Sequence, residues 1–179
     1  MKAPDFRYVK PANLDAALNL LASHGGAAVP LAGGQSLIAT LNLRLSAPDV
    51  LVDISDLAEL NGIRVEEGTV VIGAATVHAE VAASALVRRH LPLVTEAMRH
   101  VAHVAIRNRG TIGGSLAYAD PAAELPACSV ALDATFVLAS EKGTRRVLGA
   151  RRWQGRARLP HACRAGGPQA GRHYRSPLR

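Results

Sequence analysis

The sequence predicts an α+β fold of two subdomains, a small βαβ unit over residues 1–60 and an antiparallel sheet with surface helices over 61–148. Three observations predict it. Leucines at helical spacing alternate with short apolar runs in the first part, and two hairpin signals mark the second. The 179-residue chain is also 49% hydrophobic but only 3% aromatic, a composition suited to Ala, Val and Leu packing in one domain or two small ones sharing a core.

Asn13 can cap a helix in which Leu14, Ala17, Leu18 and Leu21 recur at helical spacing until Gly25-Gly26 stops them. Ala27 to Leu31 reads as a short buried strand, followed by the turn Gly33-Gly34 and a helical run opened by Ser36 through Leu37, Leu41 and Leu45. Val50 to Ile54 is continuously apolar, as in a covered parallel sheet. Beyond residue 60, Gly62–Glu66, a Glu67-Gly68 turn and Thr69–Gly73 predict a β-hairpin. Thr76 is expected to cap a helix over Val77 to Ala83, and Ser84 a short one after it. Pro92 is expected to start a third helix running to about His103. A glycine-bearing loop at 107–115 follows, and Ala134–Ser140 with Thr144–Leu148 form a second hairpin around Glu141-Lys142-Gly143.

The formal net charge of +7 belongs to one end of the chain. Residues 1–143 hold 11 Lys and Arg against 14 Asp and Glu, a net of −3, whereas 144–179 hold 10 basic residues and no acidic one. The fold is thus mildly acidic and its tail strongly basic. Few aromatics argue against a stacking platform for single-stranded nucleic acid, and nucleic acid is not an expected partner of the folded part. No apolar run approaches the roughly 20 residues that span a bilayer, and the polar start Met1-Lys2-Ala3-Pro4-Asp5 has no signal-peptide pattern, so a cytoplasmic location is expected. Cys128 and Cys163 lack metal-site spacing, and Cys128, inside Leu125–Leu132, reads as a small buried hydrophobe. His100 and His103 lie three apart without a carboxylate or cysteine beside them, a solvated face. No metal is expected, and no residue is expected to act as a catalytic acid, base or nucleophile.

Two segments carry chemistry: Ala32-Gly33-Gly34-Gln35-Ser36 and Thr111-Ile112-Gly113-Gly114-Ser115. A double glycine lets the backbone approach a ligand with no Cβ in the way, and successive amides can converge on an anion. The helix opening at Ser36 would add donors and the positive end of its dipole. Either loop alone is equally a plain tight turn, and neither fits GxGxxG or GxxxxGK(S/T). Together they point to a phosphorylated cofactor held between two subdomains.

The run Pro30–Leu37 and the run Ile106-Arg107-Asn108-Arg109-Gly110 through Ser115 closely resemble the medium, FAD-binding subunit of molybdenum hydroxylases of the carbon monoxide dehydrogenase/xanthine dehydrogenase type. Phe6-Arg7-Tyr8 to Leu14-Asp15-Ala16-Ala17 and Ala119-Asp120-Pro121-Ala122-Ala123-Glu124-Leu125-Pro126 are similar to the same family, over about residues 3–148. The resemblance implies a two-subdomain FAD-binding fold lacking the family's C-terminal domain. It implies that Ala32, Gly33, Gly34, Gln35 and Ser36 bind the FAD diphosphate and that Thr111, Ile112, Gly113, Gly114 and Ser115 bind the other side of the cofactor. Glu124 matches the family's acidic contact to ribose or ribityl hydroxyls, with Asp120 competing for that role or initiating a turn. Arg107 and Arg109 either pair with phosphate, dock a surface or are simply solvated.

The implied function is electron transfer by an oxidoreductase subunit. Electrons come from a large molybdenum-cofactor subunit through a small subunit with two 2Fe–2S clusters, in a hetero-oligomer of two three-subunit units, and leave to an external acceptor. The aerobic carbon monoxide dehydrogenase medium chain is the expected form, although the motifs do not separate that substrate from purines, aldehydes or N-heterocycles. After Leu148 the text departs from the family: 149–179 is rich in Arg, Ala, Gly and Pro with no apolar periodicity. A frameshift, a basic arm and a disordered tail are the three readings. The rival function is a truncated scaffold or a basic-tailed interaction or nucleic-acid-binding protein.

Overall fold

The computed structural model describes residues 2–148 and 160–165, with 147–148 and 160–165 described by backbone alone. The frameshift, arm and tail readings for 149–159 and 166–179 lie outside the described residues.

A three-stranded parallel sheet organises the first part. Strands β1 (Arg7–Val9), β2 (Ala28–Leu31) and β3 (Val50–Asp53) lie in the order β1-β3-β2, with Tyr8 and Val29 both opposite Leu51. All four residues of β3 are buried, which is why it reads as an unbroken apolar run. Strand β1 carries no such signal, because three residues are too few to show a period. Helix α1 (Leu14–His24) is capped as its sequence predicts, with the Asn13 Oδ1 accepting from the Ala16 amide at 2.9 Å. Its Ala17 packs with Val52, Ile54, Leu57 and Leu60 in the first core. Helix α2 (Leu37–Asn42) crosses between β2 and β3.

Asp53, at the end of β3, is buried but fully engaged. It accepts from the Tyr8 hydroxyl, from the Ser55 amide at 2.9 Å and from the Ser55 hydroxyl at 2.7 Å. Burial pushes its pKa up, but these bonds outweigh burial and hold the carboxyl below the usual carboxylate range.

The second sheet has five antiparallel strands. Strand β4 (Ile63–Glu66) and strand β5 (Thr69–Gly73) form the expected hairpin, with positive φ at both Glu67 (49°) and Gly68 (75°), as a tight primed turn requires. Strand β6 (Thr135–Ser140) and strand β7 (Gly143–Leu148) form the second. Between β5 and β6 lies β8 (Pro160–Ala165), giving the order β4-β5-β8-β6-β7. Strand β8 falls within the stretch whose sequence shows no apolar periodicity. β5 is buried along most of its length and β6 at Phe136 and Ala139, and the edges that β4 and β7 leave on them are paired by β8, whose main chain serves whatever its side chains. Pro160 takes the first position, where proline is tolerated.

Six short helices cover this sheet: α3 (His78–Ala83), α4 (Ala85–His90), α5 (Pro92–Ala97), α6 (Val104–Arg107), α7 (Ile112–Tyr118) and α8 (Glu124–Ala131). Ser84 caps α4 and Pro92 opens α5, both as expected. Three expectations need correction. Thr76 does not cap α3: its buried hydroxyl donates to the Gly62 carbonyl at 3.1 Å, and Val77 precedes α3 with no side-chain cap. The α5 helix stops at Ala97, not near His103: the chain tightens into i→i−3 turns at Arg99 and His100 and turns left-handed at Ala102 (φ 41°), and Arg107 Nη1 donates to the Val101 and Ala102 carbonyls at 2.9 and 2.8 Å. Those bonds engage one end of the Arg107 guanidinium, which does not border the cleft, whereas Arg109 is exposed. Finally, the expected loop at 107–115 is cut short, since its last four residues open α7. Val81, Val87, Leu91, Val94, Met98, Ile112, Leu116, Leu125 and Phe136 form the second core, which also takes in Cys128 as a buried apolar group. Burial pushes that thiol's pKa up. No helix among the described residues is long and apolar enough to cross a membrane.

Candidate functional site

The two glycine segments face one another. After β2 the chain bends through Ala32–Ser36, with Gly34 at φ 70° and Gln35 Nε2 donating back to the Gly33 carbonyl at 3.1 Å. Opposite it, the Arg109-Gly110 backbone approaches so closely that a Cβ on Gly33 would overlap the Arg109 carbonyl and stand 2.8 Å from Gly110 Cα. A cleft of about 380 Å³ opens along this contact. One wall is Val29, Pro30 and Ala32 to Leu37, and the other is Ala74, His78, Gly110, Thr111, Gly113 to Ser115, Ala117 and Tyr118. Asp120 and Ala123 close one end.

The two bends offer different chemistry. The amides of Gly33, Gly34, Gln35 and Ser36 donate to no acceptor among the described residues. Four consecutive free N–H groups beside a concave surface are the donor set that an anion-binding bend requires. Helix α2 behind them has only six residues, so the turn amides carry the site and the expected dipole adds little. Four of the five amides of the second segment are already committed. Ile112 donates to the Thr76 carbonyl (3.1 Å), Gly113 to the Ala74 carbonyl (2.8 Å), Gly114 to Thr111 Oγ1 (3.1 Å) and Ser115 to the Thr111 carbonyl (3.0 Å). The expectation that both segments offer free amides therefore holds for the first, while the second keeps only the Thr111 amide free among the described residues. The second segment contributes a Cβ-free surface at Gly113 and Gly114 and the partly exposed Ser115.

Of the residues singled out from the sequence, Ala32 to Ser36 and Thr111, Gly113, Gly114 and Ser115 all border the cleft. Ile112 does not; its side chain is buried in the second core. Glu124 opens α8 one residue beyond the bordering Ala123 and is half-buried. Asp120, which does border the cleft, also makes the turn its sequence suggests, accepting from the Ala122 amide at 2.9 Å. Among the described residues, no Lys or Arg borders the cleft.

Sequence reasoning missed His78 and Tyr118. Tyr118 stands exposed at the rim. His78, the first residue of α3, is 5% exposed, and neither ring nitrogen makes a hydrogen bond of normal geometry. A lone histidine on a six-residue helix has no spacing to announce it; only its surroundings do.

Burial, reinforced by the Arg107 charge, holds the His78 pKa below its usual 6.5, against opposing effects of the Thr111 backbone and Glu124. The unfolded chain therefore takes up this proton first as pH falls. The neutral buried ring supports the fold above about pH 6.5 and weakens it progressively below that. The urea midpoint of the chain is expected to fall between pH 6.5 and 5, and His78→Phe to lose that part of the slope. Equal slopes in the two proteins would contradict it.

Residues 4–158 match the family of the FAD binding domain in molybdopterin dehydrogenase. Alpha subunit of the 6-hydroxypseudooxynicotine dehydrogenase complex of Paenarthrobacter nicotinovorans is 48% identical over 147 residues, 82% of this chain and 50% of that protein. The carbon monoxide dehydrogenase medium chain of Hydrogenophaga pseudoflava is 44% identical over 147 residues, 82% of this chain and 51% of that one. A solved structure of carbon monoxide dehydrogenase from Hydrogenophaga pseudoflava, lacking the Mo-pyranopterin moiety of the molybdenum cofactor, superposes with a TM-score of 0.87. It is 38% identical and covers 96% of this chain and 62% of that one. The chain spans about half the length of the curated relatives it matches.

Proposed function

Because the chain belongs to the family of FAD-binding domains of molybdopterin dehydrogenases, we propose that it holds FAD in the cleft between its two subdomains, as the flavin-carrying part of a molybdenum hydroxylase. The observation that carries this reading is the row of four free amides at Gly33–Ser36, set against a glycine surface from the other subdomain. A diphosphate needs several convergent donors, and backbone amides supply them without lysine. Ala32 to Ser36 take the diphosphate. Thr111, Gly113, Gly114 and Ser115 form the opposing surface, with Ile112 anchoring it from the core, and Glu124 or Asp120 accepts from ribose or ribityl hydroxyls.

Bound FAD supplies the redox chemistry. The chain's own residues bind the cofactor, orient it and exclude water from its diphosphate. In the complex proposed, a small subunit with 2Fe–2S clusters delivers electrons from a large molybdenum-cofactor subunit, and an external acceptor removes them, in the cytoplasm. The medium chain of an aerobic carbon monoxide dehydrogenase is the assignment we favour, supported by two such chains at 44% and 41% identity.

The test is reconstitution. The full chain, mixed with excess FAD and passed through a sizing column, is expected to elute yellow, and the same treatment with riboflavin is expected to leave it colourless. Colourless protein after FAD, together with a salt-dependent shift of DNA, would favour a basic-tailed binding protein instead.

A further inference from the structure

We propose that His78 contacts the bound dinucleotide: its imidazole donates a ring N–H to a phosphoryl oxygen of the diphosphate lodged between the two glycine segments. This inference rests on the FAD reading above and names a residue that the glycine motifs do not contain.

Three observations carry it. His78 is 5% exposed, yet neither Nδ1 nor Nε2 makes a hydrogen bond of normal geometry; the Thr111 backbone is its nearest partner and can serve at most one of the two nitrogens. A neutral imidazole has one donor and one acceptor, and a buried polar group left unpaired is a standing cost to the fold. The ring also borders the cleft, so what it lacks in protein partners a ligand can provide.

Its position is fixed rather than incidental. The His78 amide donates to the Gly110 carbonyl at 2.8 Å, and a Cβ on Gly110 would stand 3.2 Å from both Cε1 and Nδ1 of the ring. Gly110 in turn is the backbone against which Gly33 packs. The imidazole therefore lies just behind the contact where the free amides of Gly33–Ser36 arrive from the other subdomain. That is the anion-binding end of the cleft, and phosphoryl oxygen is the acceptor such a site presents. Arg107 Nη1 is held by the Val101 and Ala102 carbonyls, and the buried Thr111 hydroxyl, which accepts from the Gly114 amide, is the other buried side chain beside His78 that can donate at this end.

The experiment follows the ring nitrogens of His78 by ¹H–¹⁵N spectroscopy of the full chain as ADP, riboflavin or FAD is added. The His78 ring signals are expected to move with ADP and FAD and to stay in place with riboflavin. In calorimetry, His78→Phe is expected to bind FAD and ADP about 10-fold more weakly, and His78→Gln, which keeps a donor, to recover part of that loss. If the unsubstituted chain binds FAD but the ring signals stay fixed, or if His78→Phe binds FAD as tightly, the His78 contact is overturned and the FAD reading stands. If the unsubstituted chain does not bind FAD, both fall.

Discussion

Gly33→Ala is expected to lower FAD affinity by about 100-fold or more, the equivalent of losing two hydrogen bonds to a charged group at about 1.5 kcal/mol each. Backbone strain is not the reason, since Gly33 lacks the positive φ of its neighbour Gly34. The reason is space. The added methyl would overlap the Arg109 carbonyl oxygen and stand 2.7 Å from its carbon and 2.8 Å from Gly110 Cα. All three are main-chain atoms between α6 and α7, so no side chain can swing aside. The Ala32–Ser36 bend must lift off the second subdomain, carrying its four free amides away from the opposing wall.

Each subdomain keeps its own core, so the stability loss should stay within the roughly 1–3 kcal/mol of an overpacked contact. Gly34→Ala is the useful contrast. It meets a strained φ of 70° and the Ile38 Cγ1 at 3.1 Å, a side-chain atom that can shift. It should therefore cost mainly stability, about 1–2 kcal/mol. Fluorescence titration with FAD and urea unfolding of both variants decide the matter. Gly33→Ala binding within a few-fold of the unsubstituted chain would mean the two segments do not clasp the cofactor.

The same glycines show what could be read in advance. Both were visible as turns beside apolar runs, and α1, the two hairpins and β3 were legible because their signals are local. Asn13 caps α1, Glu67-Gly68 can only turn tightly, and β3 is apolar on both faces. What escaped is determined by partners far away in sequence. Gly113-Gly114 lowers helix propensity, so 107–115 reads as a loop, yet docking on Ala74 and Thr76 overrides that weak preference from Ile112 on. The same docking and the helix it starts commit four of the five amides of the second segment, which no local pattern reveals. Thr76 has the residue type of a cap but spends its hydroxyl on Gly62. Strand β8 escaped because a ladder is made of main chain, and a strand demanded by its neighbours needs little pattern of its own. His78 escaped because an orphaned nitrogen is a property of the fold.

Gly113→Val should be the more damaging change to the fold, costing about 4 kcal/mol or more, in the range reserved for severe overpacking of a buried contact. Gly113 is buried at the start of α7, and its amide is held by the Ala74 carbonyl at 2.8 Å. Even a single added carbon would stand 2.6 Å from both the Cβ and the carbonyl oxygen of Ala74 and 2.9 Å from its Cα. Valine adds two more methyls, and retreat would pull Ile112 and Leu116 out of the second core. Gly114→Ala, one residue on, meets only the Thr111 hydroxyl, at 2.9 Å. It loses a cap worth about 1 kcal/mol but gains about as much in helix propensity, so its stability should change little. Because Gly114 also borders the cleft, Gly114→Ala should still weaken FAD binding by narrowing the space. Urea unfolding is thus expected to separate the two glycines, one required for packing and the other for the ligand. If Gly113→Val unfolds at the same urea concentration as the unsubstituted chain, α7 does not dock on Ala74 through that glycine, and the wall it builds for the cofactor is misplaced.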